Sequence, residues 1–236
     1  MKRSIGLLAG VLVLGTGAAA AAYEGGAVSG GGSISGVVKL SGPAPEAKPP
    51  DINKDQEICG KSRPSEAFVE GPGHSLKNAV VRLTNVTKGK KLETATVTLD
   101  QKGCGFHPHI AVVAVGGKLD IRNSDPITHN VHTFSIENDP VNKAQPKSLP
   151  VVTTSFTAAE TIKTQCDIHK WMNAWIVATD HPYVAVTDDK GQFKLTDVPP
   201  GSYKIEIWHE LLGKVTQDVT VKSGADAAVT VELKKK

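Results

Sequence analysis

Short runs in which apolar and polar residues take turns recur along most of this 236-residue chain. A period of two is the signature of strands with one buried face. In "KLDIR", Leu119 and Ile121 alternate with Lys118, Asp120 and Arg122, and near the C-terminus Tyr203, Ile205 and Ile207 alternate with Lys204 and Glu206. Further strand candidates are "SISGVVKLSG", "KNAVVRLTNV" (77–86), "TATVTLD" (94–100), "HIAVVAV", "HNVHTFS", "VVTTSFT", "ETIKTQC" and "AWIVATD", with turns supplied by stretches such as "DDKG" and "VPPGS". No amphipathic helical stretch of any length interrupts them, so the pattern predicts an all-β fold. The alternation puts Trp208 on the outward face with Glu206, a position suited to covering a seam between two domains. Residues 43–75, rich in Pro, Lys, Glu and Gly, read as a long surface loop, and "GGAVSGGGS" as part of a flexible leader over residues 23–33.

The N-terminus changes the setting. "MKRSIGLLAGVLVLGTGAAAAAYEGG" joins a basic start (Lys2, Arg3) to an apolar run and small residues, the pattern of a secretory signal peptide over 1–22 with cleavage after about Ala22. A soluble mature chain in the periplasm or outside the cell, without a membrane span, is expected. The formal charge of +3 includes Lys2, Arg3 and the three terminal lysines; without them the balance is slightly acidic, which gives no ground for nucleic-acid binding. Three cysteines in an exported chain leave one unpaired if two join. Cys59 and Cys104 lie in irregular segments, and their pairing would close a loop of about 45 residues, worth roughly 4 kcal/mol on the chain-entropy account. Cys166 would then stay free.

Cys166 belongs to the chemically richest stretch, "CDIHKWM", where Cys166, His169 and Met172 follow C-x2-H-x2-M spacing; "THNVH" lies some thirty-five residues upstream. Together with "FHPHIAVVAVGGKLDIRNSD", these motifs resemble the cupredoxins, the blue-copper β-sandwich family, in the family's order and over about 85 residues. The resemblance implies one type 1 copper ion with His129, Cys166 and His169 as strong ligands and Met172 as the weak axial one. Two imidazoles, a thiolate and a thioether suit both Cu(I) and Cu(II). It also implies supporting roles for Asn130, through a backbone amide to the Cys166 sulfur, and for Asn123, which would tie ligand loops together. His169 is expected to reach the surface between Ile168 and Trp171, where a redox partner such as a c-type cytochrome would dock. His132 falls on the opposite strand face from His129. A second metal site from His107 and His109 with His132 or Cys104 is a weaker expectation; His181 and His209 read as structural or interface residues.

The C-terminal "TDDKGQFKLTDVPPGSYKI" resembles the carboxypeptidase regulatory-like domain, a small transthyretin-type β-sandwich. That family's opening strands have counterparts in "SGVVKL" and "NAVVRL", about a hundred residues earlier. The expected organisation is a split regulatory-like sandwich, 34–89 and 180–236, with a cupredoxin-like Greek-key domain inserted over 90–179; the alternative is two sequential domains, with the first strands belonging to the copper-type fold. Because protein side chains fill every copper position, no place is left for substrate, and the expected role is single-electron transfer rather than catalysis. Copper carriage or storage, and a metal-free structural or binding module, are the alternative classes.

Overall fold

The computed structural model describes residues 22–235, so the expected signal peptide lies, Ala22 apart, outside the described residues. Elements β1 (Glu24–Gly26), β2 (Gly32–Leu40), the short helix α1 (Gln56–Cys59), β3 (Glu70–Gly71), β4 (Ser75–Leu76), β5 (Val80–Leu83) and β6 (Lys88–Lys90) form a first run. A second run comprises β7 (Val97–Lys102), β8 (Gly105–His107), β9 (Ile110–Ala114), β10 (Lys118–Asn123), β11 (His129–Phe134), β12 (Asn142–Gln145), β13 (Val151–Ser155), β14 (Glu160–Gln165) and β15 (Asn173–Thr179). The third is β16 (Val184–Val186), β17 (Gln192–Val198), β18 (Gly201–His209), β19 (Gly213–Val221) and β20 (Asp226–Leu233). The fold is all-β, as the alternation predicts.

The first and third runs share two sheets, β16-β5-β18-β19 and β17-β2-β4-β3, with β20 beside β2. The second run builds two others, β13-β10-β7-β8 and β12-β11-β14-β15-β9. Pairing across the long sequence gap is extensive: β2 runs parallel to β20 from Ser33↔Asp226 to Leu40↔Leu233, and β5 is antiparallel to both β16 and β18. Each sandwich has its own core. Ile34, Val38, Leu76, Val81, Tyr183, Ile205 and Ile207 lie in one, and Leu99, Phe106, Leu119, Ile121, Val131, Ile162 and Ile176 in the other.

A small third cluster, Val80, Ile110 and Val177 with Trp175 and Trp208 against it, fills the seam. The two tryptophan rings meet edge to face with centroids 4.8 Å apart, a favoured arrangement for aromatic pairs. Trp208 thus lies over the seam. Its outward neighbour Glu206 is nonetheless buried, because Arg82 and Lys214 close over its carboxylate at 2.6 and 3.0 Å.

Two loop expectations need correction. The leader is not a free linker: β1 pairs in parallel with β6, and Tyr23 donates its hydroxyl to the Lys90 carbonyl at 2.5 Å, so Gly25 and Gly26 lie in a sheet. Nor is the 43–75 stretch merely a surface loop, since Ile52 and Cys59 are buried in the core of the second-run sandwich. Two apolar side chains among polar ones carried too little periodicity to reveal that packing. Among the described residues, no helix is long and apolar enough to cross a membrane.

Candidate metal centre

The centre lies at one end of the second-run sandwich, where β11 begins and the β14–β15 connection turns. His129 opens β11, and the alternation of that strand sends it inward while His132, three residues on, goes to the other face. The turn from Cys166 to Met172 is closed by two backbone hydrogen bonds, Met172 N–H to the His169 carbonyl at 2.8 Å and Cys166 N–H to the Met172 carbonyl at 3.1 Å. This brings Cys166 and His169 onto the same side. The ligand-type atoms of His129, Cys166 and His169 all lie within 4.8 Å of one another, and the three residues are fully buried. Met172 is buried in the same turn, within the core cluster that contains Cys166.

Hydrogen bonds fix the orientation of each donor. The Cys166 sulfur accepts the backbone N–H of Asn130 and that of His169, both at 3.3 Å. Asn123 donates to the carbonyls of Ile127 and Gln145 at 2.8 and 2.7 Å and accepts the amide of Asp125, tying together the segment that leads into His129. His129 Nε2 lies 2.8 Å from the Asp125 carboxylate, and His169 Nε2 lies 2.8 Å from that of Asp55. A carboxylate only accepts, so each Nε2 carries the proton, and in a neutral ring Nδ1 is left bare. The two Nδ1 atoms face each other at 2.9 Å, with the Cys166 sulfur 3.9 Å from that of His169. With both rings in that tautomer, two nitrogens and a sulfur converge as a donor set that a cation could occupy. Metal–nitrogen bonds of about 2.0–2.1 Å and a metal–sulfur bond of about 2.3 Å fit these separations.

The electrostatics of the His129 pair follow from burial. Burial pushes His129 below the ordinary imidazole value; the Asp125 bond opposes this and the neighbouring His169 ring adds to it. The ring is therefore neutral at neutral pH, as a ligand must be. Burial alone would raise Asp125, but the amide of Cys104, the His129 ring and the amide of Gly103 outweigh it and hold the carboxyl below its usual range. A second close group, Cys104, Asp125 and His129, also satisfies the distance criterion for a metal, but Cys104 is joined to Cys59 in a disulfide and offers no thiolate. Cys166 is the free cysteine.

The histidines at 107, 109 and 132 are not brought together. Among the described residues no metal-compatible group contains them. His132 faces Asp167 at 3.1 Å on the far side of β11, and the sulfur of Cys104 is committed to its disulfide. His109 is buried at the seam, hydrogen-bonded to Glu210 and 3.8 Å from Glu66, while His107 is exposed. The expected surface patch also needs correction. His169 is 0% exposed rather than open to a partner. The segment around α1 lies over it, and Ile168 and Trp171 are only partly buried beside the core, with Trp171 donating its indole N–H to the Cys104 carbonyl at 3.2 Å. Sequence reasoning missed Asp125 and Asp55. Asp125 precedes His129 by four residues in "SDPITH", and that spacing is its one signal in the sequence. Asp55 lies 114 residues from its partner, and its one signal is a position four residues before Cys59.

The sequence profile of the carboxypeptidase regulatory-like domain matches residues 172–234. The match begins at Met172 and therefore includes β15, which pairs with β14 and β9 in the second-run sandwich. Among solved structures, the chain is similar to a copper-containing nitrite reductase from Thermus scotoductus SA-01, with 21% identity, 39% of this chain and 24% of that chain covered, and a TM-score of 0.34. It therefore spans about a quarter of the nitrite reductase. It is also similar to an amicyanin variant in its Cu(I) form, with 20% identity, 38% of this chain and 86% of that chain covered, and a TM-score of 0.33. No curated protein matches the chain.

Proposed function

We propose that the chain is an exported type 1 copper protein that passes single electrons between redox partners, with a cupredoxin-like copper domain set into a regulatory-like sandwich. The observation that carries this reading is the convergence of His129 Nδ1, His169 Nδ1 and the Cys166 sulfur, all within 4.8 Å and fully buried, with a carboxylate on the outer nitrogen of each ring. Met172, buried in the same turn, would add a weak thioether donor to the set. A bound copper ion would supply the one-electron couple, for which this mixed soft and borderline donor set is suited.

The chain's own residues do the rest. The amides of Asn130 and His169 place partial positive charge on the thiolate sulfur, and Asp125 and Asp55 hold the rings in one tautomer and one orientation. Donors fixed in this way change little between the two oxidation states, which favours rapid electron exchange. Filling every position with protein groups leaves no place for substrate, so the reading is of a carrier of electrons and not of an enzyme. The partner in this reading is a redox protein of the same compartment, such as a c-type cytochrome.

The test is an optical and electron paramagnetic resonance spectrum of the mature protein titrated with Cu(II). An intense visible thiolate-to-copper band with narrow copper hyperfine splitting, abolished in Cys166→Ala, is expected. An ordinary Cu(II) signal that survives Cys166→Ala would overturn the assignment.

A further inference from the structure

The segment that hides His169 belongs by sequence to the split sandwich, yet it is fastened to the copper-type one. Cys59 is disulfide-bonded to Cys104, Ile52 and Cys59 are buried in the second core, and Arg63 donates to the carbonyls of Gly103 and Cys104. At its centre stands Asp55, the residue that starts α1. An Asp in that position ordinarily accepts an amide of the first helical turn with its carboxylate. Asp55 makes no such cap; its backbone is left-handed, at φ 51°, and its carboxylate goes to His169 Nε2 at 2.8 Å. The favoured use of the side chain is given up for a contact with a residue that lies 114 positions away.

The other histidine is treated alike from the other end of the same disulfide. Asp125 holds His129 Nε2 and at the same time accepts the amides of Gly103 and Cys104, at 2.7 and 2.8 Å. One carboxylate therefore stands four residues before Cys59, and the other is gripped by the amide of its bonded partner, Cys104.

Resting on the copper reading above, we propose that Asp55 is a positioning residue which, paired with Asp125, locks the two imidazoles with Nδ1 toward the metal, and that the disulfide-fastened 51–63 segment is a cap closing the His169 edge. The cap has two consequences. Metal cannot leave past His169 unless the segment lifts, and the partner contact made at an exposed histidine edge is blocked on this side. A carboxylate on Nε2 also makes the ring a stronger donor, which favours the more highly charged Cu(II).

The test compares wild type, Asp55→Asn and the Cys59→Ser/Cys104→Ser double variant. In metal-free protein, nitrogen-15 resonances of the His169 ring should show the Nε2–H tautomer in wild type, with Asp55→Asn shifting the ring toward the other tautomer or a mixture. With copper bound, competition against a Cu(I) chelator should show affinity lower by about 10–100-fold in Asp55→Asn, and its reduction potential should rise. Release to the chelator should be faster in both variants. Wild-type His169 protonated on Nδ1, or an Asp55→Asn protein with unchanged tautomer and unchanged chelator competition, would overturn the proposal. If the double variant fails to fold, Asp55→Asn alone decides. Absence of the thiolate-to-copper band in wild type would sink the copper reading instead, and the metal-free tautomer would still test the anchoring role of Asp55.

Discussion

The two sandwiches grow from the same alternation of residues but fill their interiors differently. In the sandwich of β2, β5 and β16–β20 the central cluster is aliphatic and aromatic, and buried polar groups such as Thr187 and Glu206 lie at its rim, where Thr187 donates to the Leu76 carbonyl and Glu206 meets two cations. In the sandwich of β7–β15 one end of the interior is polar. There Gln101 and Gln145 are fully buried and hydrogen-bonded to each other at 2.7 Å, beside Asn123, Asp125, His129 and His169. Burying that many polar groups stabilises nothing by itself, because each must recover the hydrogen bonds it had with water. The first sandwich is stable through burial of apolar surface. The second gives up part of that term for a converging set of polar groups, and the Cys59–Cys104 disulfide offsets part of the loss.

The largest expected effect follows from this contrast. A ligand that binds only the folded state adds stability by mass action, about 4.1 kcal/mol at a free concentration a thousand times its dissociation constant. Under Cu(I) at that excess, amide exchange in β11, β14 and β15, read at Val131, Ile162 and Ile176, should slow by up to about a thousandfold. Exchange in β5 and β18, read at Val81 and Ile205, should change little. Equal slowing in both sandwiches would break the comparison, showing that they open as one unit.

A smaller effect belongs to the joint between them. His209, buried at the end of β18, has its proton affinity pushed down by burial from the ordinary 6.5 to about 4, with Glu210 opposing the shift and His109 adding to it. The unfolded chain takes up this proton near pH 6.5, and the folded chain only near pH 4. Between those values the unfolded state holds the extra proton, so stability falls as pH drops from 6.5 to 4 and the loss levels off below. The His209 share is about 3 kcal/mol. Denaturation midpoints measured between pH 7 and 4 should fall less steeply in His209→Phe than in wild type, and parallel curves would remove His209 as the acid-sensitive group.

The same contrast explains what could be read from the residues alone. Strand existence was legible because a half-buried strand writes its period into the sequence, as in Lys118–Arg122 and Tyr203–Ile207. The loop Cys166–Met172 was legible because its donors are neighbours in sequence, and the thirty-six positions between His129 and Cys166 have a motif at either end. The burial of His169 was not legible. It depends on Asp55, Ile52 and Cys59 in a stretch whose composition is that of a loop, and loops carry no period to show which face they cover. The order within β1 was hidden for a related reason: Glu24–Gly26 has almost no side chain to pattern, and its pairing with Lys88–Lys90 is a matter of backbone groups alone.

The smallest effect sharpens the comparison most directly, because it sets two histidines of one motif side by side. His129 and His132 each have a carboxylate partner at close range, Asp125 at 2.8 Å and Asp167 at 3.1 Å. The first pair is buried; in the second the Asp167 side chain is 47% exposed. An exposed pair of this kind is screened by water and worth at most about 1 kcal/mol. Asp167 follows Cys166 directly in sequence, so sequence distance to the centre would favour it over Asp125. Burial and ring orientation argue the reverse, since His132 points away from the sulfur and Asp167 touches none of the converging donors. Asp167→Asn should therefore leave the copper spectrum unchanged and move the denaturation midpoint by no more than that small amount. A spectral shift in Asp167→Asn would mean that the charge beside Cys166 reaches the metal through the strand, and that the inner and outer faces of β11 are less separate than their side chains make them.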